Sequence, residues 1–155
     1  MSTTSATPVR LIGVYTENYK RVKAVNLPHL PPAGVIEVSG RNDSGKTSLL
    51  EAIVVALAGK KTLPLMPVRQ GSTKAKTVLD LSGDLRVTWV CTDERNVYLT
   101  VERRGERGPI KSPQGLLDAI VGNKIGFDPG EFYRKKEQEQ VAALLALLDL
   151  PVDPR

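Results

Sequence analysis

Residues 35–58 read VIEVSGRNDSGKTSLLEAIVVALA, a short apolar run followed by a glycine-rich loop and then by a segment without a helix breaker. The pattern G-x-x-x-x-G-K-[ST] is matched by Gly40, Gly45, Lys46 and Thr47. This pattern indicates a phosphate-binding loop when a buried strand precedes it and a helix follows it. The β-branched run at 35–38 predicts that strand, and residues 47–58 predict that helix, ending before Gly59.

The residue types in this loop suit a triphosphate. Backbone amides of residues 43–47 would point into one concavity at the positive end of the helix dipole. Gly40 permits the tight turn and Gly45 the close approach of the backbone, while Lys46 reaches the β and γ phosphates and Thr47 ligates Mg²⁺. The predicted nucleotide contacts in the loop are Gly40, Asn42, Asp43, Ser44, Gly45, Lys46, Thr47 and Ser48.

The composition is that of a globular protein. The 155 residues, 41% of them hydrophobic, suffice for one domain or for one lobe of a larger domain. Because no apolar run approaches the roughly twenty residues of a membrane span, and the polar residues 1–8 look like a disordered leader rather than a signal peptide, we expect a cytoplasmic protein without a membrane partner. The net charge of +5 is compatible with nucleic acid as a partner. Cys91 is the single cysteine, which excludes an internal disulfide and predicts a buried thiol.

Hydrophobic periodicity predicts a mixed α/β chain. Strands are predicted at 9–15, 23–27, 77–81, 85–91 and 97–103. The last three form an antiparallel block at about 76–103, beside the nucleotide-binding sheet. The first two strands form a hairpin around a polar turn at 16–20. Two further helices are predicted at 112–121 and at about 131–150. Apolar residues go nearly all the way round the helix at 47–58, which predicts cover on several sides.

The hairpin, the segment VIEVSGRNDSGKTSLLEAI, a basic stretch with PVRQG and the antiparallel strands together resemble the N-terminal half of an SMC-type ABC ATPase head. The nearest branch is the SbcC and RecF group of DNA repair and recombination ATPases, phage relatives included. The resemblance implies an α/β P-loop NTPase fold, with residues 9–155 as a single ABC-type nucleotide-binding lobe that carries an antiparallel β subdomain.

The resemblance also implies further site residues. Lys20 and Arg21 match a basic segment that lies near the nucleotide, and Arg69 resembles an arginine loop that approaches phosphate or the partner subunit. Gln140, or else Gln138, would ligate Mg²⁺, although a solvated helix face accounts for both glutamines equally well. Asp43 departs from the glycine usual at its position, and its carboxylate would weaken triphosphate binding somewhat.

The family's remaining catalytic parts are a Walker B strand, a signature loop and a switch histidine, and none is recognisable in this sequence. The resemblance therefore implies a complementary C-terminal lobe, from the same gene or from a separate chain, without which this lobe binds nucleotide poorly and barely hydrolyses it. It further implies that two complete heads sandwich ATP head to head, that DNA is the partner acted on, and that a nuclease subunit is a companion.

Three other interpretations remain open. A small GTPase would use Asp80 and Gly83 as its D-x-x-G, but its N-K-x-D motif fails at Gly126, where a guanine-binding carboxylate is required. A nucleoside or sugar kinase would need an arginine-rich lid, which the sequence lacks. The third interpretation is a non-enzymatic lobe whose association with a partner is controlled by nucleotide.

Overall fold

A computed structural model describes residues 9–31, 36–41 and 44–121 of the chain. Within these residues one five-stranded antiparallel sheet has the strand order β2-β1-β3-β4-β5. Its strands are β1 Leu11–Tyr19, β2 Val22–Leu27, β3 Lys74–Leu81, β4 Leu85–Thr92 and β5 Val97–Arg103. The helices are α1 Lys46–Ala58 and α2 Pro113–Val121, with a short 3₁₀ turn at Gly59–Thr62.

The predicted hairpin exists, but its turn is shorter than expected. β1 continues to Tyr19, and the turn consists of Lys20 and Arg21 alone, so the predicted turn at 16–20 is wrong. The reason is pairing with a distant strand: Thr16 lies opposite Thr77 of β3, and their hydroxyl oxygens are 2.9 Å apart in the fully buried interior. A polar side chain that finds such a partner can be buried in a strand.

The three predicted strands of the antiparallel block are confirmed as β3, β4 and β5. They do not stand beside a separate sheet, because β1 pairs with β3 and joins the hairpin to the block. Alternate residues of β3 and β4 face inward, which is what the period-2 pattern predicts. The strands thus bury one continuous face, whose most enclosed side chains include Leu79, Val87 and Trp89.

Helix α1 packs on this inner face through one stripe, made of Ser48, Leu49, Ala52, Val55 and Ala56. It ends at Ala58 as predicted, because Gly59 adopts a positive φ of 69° and its N–H bonds the Val55 carbonyl. Outside this stripe, Ile53 and Leu57 also pack against the core, whereas Leu50 keeps 50% of its surface exposed. The predicted cover on several sides of this helix is therefore present apart from Leu50.

The strand predicted before the loop is wrong for the residues that the structure describes. Residues 36–40 belong to no strand, and Ile36 is 47% exposed, while Val35 lies outside the described ranges. A strand needs a neighbour to accept and donate its backbone hydrogen bonds, and none of the described strands pairs with this segment. Val38 nevertheless packs against the core.

Helix α2 confirms the helix predicted at 112–121. It docks on the C-terminal end of α1, where the Gln114 side-chain amide donates to the Leu57 carbonyl at 3.3 Å. The leader at 1–8 and the helix predicted at about 131–150 lie outside the described residues. Neither of the helices in the described ranges is long and apolar enough to cross a membrane.

Candidate nucleotide-binding site

The glycine-rich loop closes on itself at the N-terminus of α1. The Lys46 ammonium donates to the Gly40 carbonyl at 2.6 Å, and the Ser44 amide donates to the Arg41 carbonyl at 3.1 Å. The lysine side chain therefore reaches back across the loop, while its backbone begins the helix. Asn42 and Asp43, predicted as nucleotide contacts, lie outside the described residues.

Both motif glycines have a positive φ and leave little room for a side chain. Gly40 has a φ of +157°, and a Cβ there would lie 2.8 Å from the Ser44 hydroxyl oxygen. Gly45 has a φ of +92°, and a Cβ there would lie 3.3 Å from a methyl group of Val22 and 3.4 Å from the carbonyl carbon of Arg21. The second glycine thus lets the loop approach the β1–β2 turn as well as any ligand.

A cleft of about 470 Å³ opens between the β1–β2 turn and the first turns of α1. Its lining residues are Lys20, Arg21, Gly45, Lys46, Thr47, Ser48 and Glu51. The three cationic side chains outnumber the one carboxylate, and the N-terminus of a 13-residue helix adds a partial positive charge. This combination favours an anionic ligand of the phosphate type.

The Lys20 ammonium donates to the Glu51 carboxylate, which stands one helical turn after Thr47. The pair links the β1–β2 turn to α1 across the cleft. Sequence reasoning identified Lys20 but missed Glu51, although its i+4 spacing from Thr47 places both on one face of the helix. Since both side chains are partly exposed, the ion pair can rearrange at low cost.

The metal prediction fits the donors that are present. Among residues 9–31, 36–41 and 44–121, no three His, Cys, Asp or Glu side chains are grouped to hold a metal ion. A P-loop Mg²⁺ needs no such group, because phosphate oxygens and water supply most of its ligands and the protein adds only the loop hydroxyl and a further side chain. The exposed Thr47 in the cleft can supply that hydroxyl. Gln138 and Gln140 lie outside the described residues.

Arg69 lies behind the β1–β2 turn rather than in the lining of the cleft. Its guanidinium donates through Nη1 to the Arg21 carbonyl at 2.8 Å, and its amide donates to the Asn18 carbonyl at 2.7 Å. The structure therefore brings Arg69 to the predicted site, in contact with the backbone that forms one wall.

Aromatic side chains pack beneath the β1–β2 turn, in the interior of the sheet. Tyr19 is fully buried, and its ring meets that of Trp89 edge to face, with centroids 6.0 Å apart. Burial, reinforced by the Glu51 carboxylate, raises the pKa of the Tyr19 hydroxyl. Cys91 is also fully buried, and burial raises the pKa of its thiol, which confirms it as a packed core residue.

A larger groove of about 550 Å³ lies elsewhere on the sheet. Two of the three arginines that line it are paired with carboxylates, because Arg86 binds Asp80 at 2.7 and 3.1 Å and Arg103 binds Glu106 at 3.2 Å. The hydrogen bond to the Asp80 carboxylate raises the pKa of the Arg86 guanidinium above its ordinary value. Internal charge pairing leaves less to attract an anion there, so we regard the smaller cleft as the candidate site.

Comparison with known proteins agrees with this geometry. A family model described as an AAA domain matches residues 15–146. Over 75 residues the chain is 37% identical to the DNA replication and repair protein RecF of Deinococcus radiodurans. That match covers 47% of this chain and 20% of RecF, so the chain spans about a fifth of the length of this relative.

Solved structures share the fold. One, from work on ATP-driven dimerization and DNA-stimulated activation of SMC ATPases, aligns with a TM-score of 0.61 and 14% identity, covering 86% of this chain and 96% of the other. Another, the recombination mediator protein RecF with ATP, also gives 0.61, with 18% identity, covering 90% of this chain and 38% of RecF. These likenesses show that the chain shares the α/β fold of those SMC and RecF structures.

Proposed function

The chain belongs to the AAA domain family, and from this premise we propose that it is the ATP-binding N-terminal lobe of an SMC-type ATPase head. The process it serves is DNA repair, recombination or phage DNA metabolism. The observation that carries the proposal is the cleft itself, in which Lys46 and the cationic β1–β2 turn surround the N-terminus of α1. The similarity to RecF, a DNA replication and repair protein, supports the assignment to DNA metabolism.

ATP binding follows from the groups around the cleft. Lys46 exchanges the Gly40 carbonyl for the β and γ phosphates, while backbone amides of the loop hold the phosphates from the helix side. Lys20 and Arg21 add positive charge from the opposite wall. Bound Mg²⁺ would offset phosphate charge, with Thr47 as one ligand and Gln140 or Gln138 as a further one.

Exposed apolar side chains support a complementary C-terminal lobe, on the same or a separate chain. Ile36 and Leu50 are each about half exposed, and residues 36–40 carry backbone groups that no described strand pairs. A second lobe covers both features by adding strands beside the extended segment. Hydrolysis depends on that lobe, because a phosphate cradle alone does not position the attacking water or stabilise developing charge.

The larger assembly is also proposed by similarity. A solved neighbour comes from work on the ATP-driven dimerization and DNA-stimulated activation of SMC ATPases. We infer that the completed head engages a second head across bound ATP, that DNA is its partner, and that a nuclease subunit accompanies it. ATP binding then shifts the population toward engaged heads, and hydrolysis releases them.

The GTPase alternative loses support from the position of Asp80. Its carboxylate accepts two hydrogen bonds from Arg86, and Gly83 sits in the β3–β4 turn, outside the cleft lining. A D-x-x-G aspartate would have to face the phosphates and their metal.

The test is Lys46→Ala in the full chain, with ATP affinity measured by isothermal titration calorimetry. Because a charged donor to the phosphates is lost, we expect the affinity for ATP to fall by roughly a hundredfold or more. A loss of this size would leave no binding that calorimetry detects. Lys74→Ala is the matched control, since Lys74 is exposed at the start of β3 and does not line the cleft. Unchanged affinity in the Lys46 variant would overturn the proposed site.

A further inference from the structure

Residues 67–69 run alongside the end of β1 and the β1–β2 turn like a short extra strand. The Lys20 amide donates to the Pro67 carbonyl at 2.9 Å, and the Arg69 amide donates to the Asn18 carbonyl at 2.7 Å. Between these bonds, Tyr19 and Val68 form an antiparallel bridge. The turn is therefore held on its outer side by a segment that lies nearly fifty residues away in sequence.

This support acts on a turn with an unfavourable backbone. Asn18 and Lys20 have φ angles of 52° and 45°, in the left-handed region that asparagine tolerates but lysine rarely adopts. Such conformations persist when surrounding contacts hold them. The hydrogen bonds from 67–69 fall on Asn18 and Lys20 themselves, and the Arg69 guanidinium adds one more at Arg21.

The Arg21 carbonyl joins this support to the phosphate-binding loop. Arg69 Nη1 donates to this carbonyl oxygen at 2.8 Å, and the same peptide unit lies against Gly45, where a Cβ would be in van der Waals contact with its carbon at 3.4 Å and its oxygen at 3.5 Å. Displacing that peptide unit would move one wall of the cleft and release Gly45. Arg69 itself is absent from the cleft lining.

We propose that Arg69 is a positioning residue for the nucleotide site, which acts through the Arg21 carbonyl to hold the β1–β2 turn against Gly45. The inference rests on the proposed function, because it presumes that the cleft binds nucleotide. It differs from a direct phosphate contact in what it predicts. A guanidinium on the γ phosphate would favour ATP over ADP, whereas a misplaced wall beside Gly45 weakens both nucleotides alike, since both present the phosphates that the loop holds.

The experiment measures ATP and ADP affinity of the full chain by calorimetry for the unchanged protein and for Arg69→Ala and Arg69→Lys. We expect Arg69→Ala to weaken both nucleotides by the same factor, roughly fivefold to tenfold, as the loss of one net hydrogen bond implies. Arg69→Lys keeps a donor that can reach the Arg21 carbonyl and should recover more than half of the loss on a logarithmic scale. It also remains informative if the alanine variant fails to fold.

Arg95→Ala is the matched control. Arg95 Nη1 donates to the Leu65 carbonyl at 3.2 Å, so this variant removes a comparable guanidinium–carbonyl bond from the same connecting segment, away from the cleft. It should destabilise the fold to a similar degree, as followed by Trp89 fluorescence, and leave both affinities unchanged.

Three results would count against the proposal. An ATP-selective loss in Arg69→Ala would indicate direct phosphate contact, and unchanged affinity in that variant would remove Arg69 from the site. Equal losses of nucleotide affinity in the Arg69 and Arg95 alanine variants would show that the effect comes from a general loss of fold stability. If the unchanged chain binds neither nucleotide, the proposed function itself fails, and the role of Arg69 falls with it.

Discussion

Replacing Gly45 with alanine tests how closely the phosphate-binding loop is fitted to the β1–β2 turn. Gly45 has φ 92° and ψ 13°, and an alanine in the left-handed region costs about 1–2 kcal/mol. The new methyl group would also lie 3.3 Å from a Val22 methyl, which must give by a few tenths of an ångström, and in direct contact with the Arg21 carbonyl carbon at 3.4 Å. Together the two effects predict a stability loss of about 2–3 kcal/mol.

Gly105→Ala separates the two effects. Gly105 has a nearly identical φ of +90°, but a Cβ there would have no heavy atom within 4 Å. Its substitution should therefore cost only the backbone term of about 1–2 kcal/mol. The difference between the two variants measures the contact between the loop and the turn.

The assay combines urea unfolding with nucleotide titration. Trp89 is the only tryptophan and is fully buried, so its fluorescence reports unfolding of the sheet. We expect ATP affinity to fall by roughly tenfold or more in Gly45→Ala, because a contact misplaced by tenths of an ångström weakens every phosphate bond of the loop. Gly105→Ala should leave affinity unchanged. Equal stability losses together with unchanged affinity in both variants would refute the fitted-loop argument.

Two further predictions concern Glu51 and Tyr19. Glu51→Gln releases the Lys20 ammonium and removes the only carboxylate lining the described cleft, so ATP affinity should rise roughly twofold to fivefold at low salt and less at high salt. Glu17→Gln is the calorimetric control, because it removes a charge outside the cleft lining. An equal rise in affinity in that control would contradict the local explanation. Tyr19→Phe removes a buried hydroxyl that has no partner among the described residues, so stability in urea should stay equal or rise by about 1 kcal/mol. Because burial raises the pKa of Tyr19, the unfolded chain ionises first as pH rises above about 10, which lowers stability by up to about 1.4 kcal/mol per pH unit. This decline should be smaller in Tyr19→Phe, and identical pH profiles for the two proteins would count against it.

Elements with a local signal were predictable. Strict alternation in 85–91 and 97–103 predicted β4 and β5 to within one residue, because a half-buried strand records its burial in its own sequence. Gly59 likewise located the end of α1, since glycine readily adopts the positive φ found at this C-terminal position.

Features that depend on distant pairing were not predictable in the same way. The end of β1 is polar and looked like a turn, but it is paired with β3 about sixty residues later, where Thr77 meets the Thr16 hydroxyl. The cleft has the same origin: its lining combines a hairpin turn, a loop and a helix, and the partner of Lys20 is Glu51, thirty-one residues away. The sequence motif identifies the phosphate-binding loop, whereas the position of the β1–β2 turn opposite that loop depends on the tertiary fold.

Residues 36–40 have the composition of a strand, but no strand among the described residues pairs with them. Ile36 and Leu50 are each about half exposed, and covering both would contribute about 2–3 kcal/mol. Association of two separate chains costs at least about 4 kcal/mol in lost freedom of motion. Those two side chains therefore cannot by themselves hold a complementary lobe that arrives on another chain. Such a lobe needs backbone pairing along 36–40 and contacts made through bound ATP, which would make its docking depend on nucleotide. A lobe on the same chain avoids most of that cost, so dependence of lobe docking on ATP distinguishes the two arrangements.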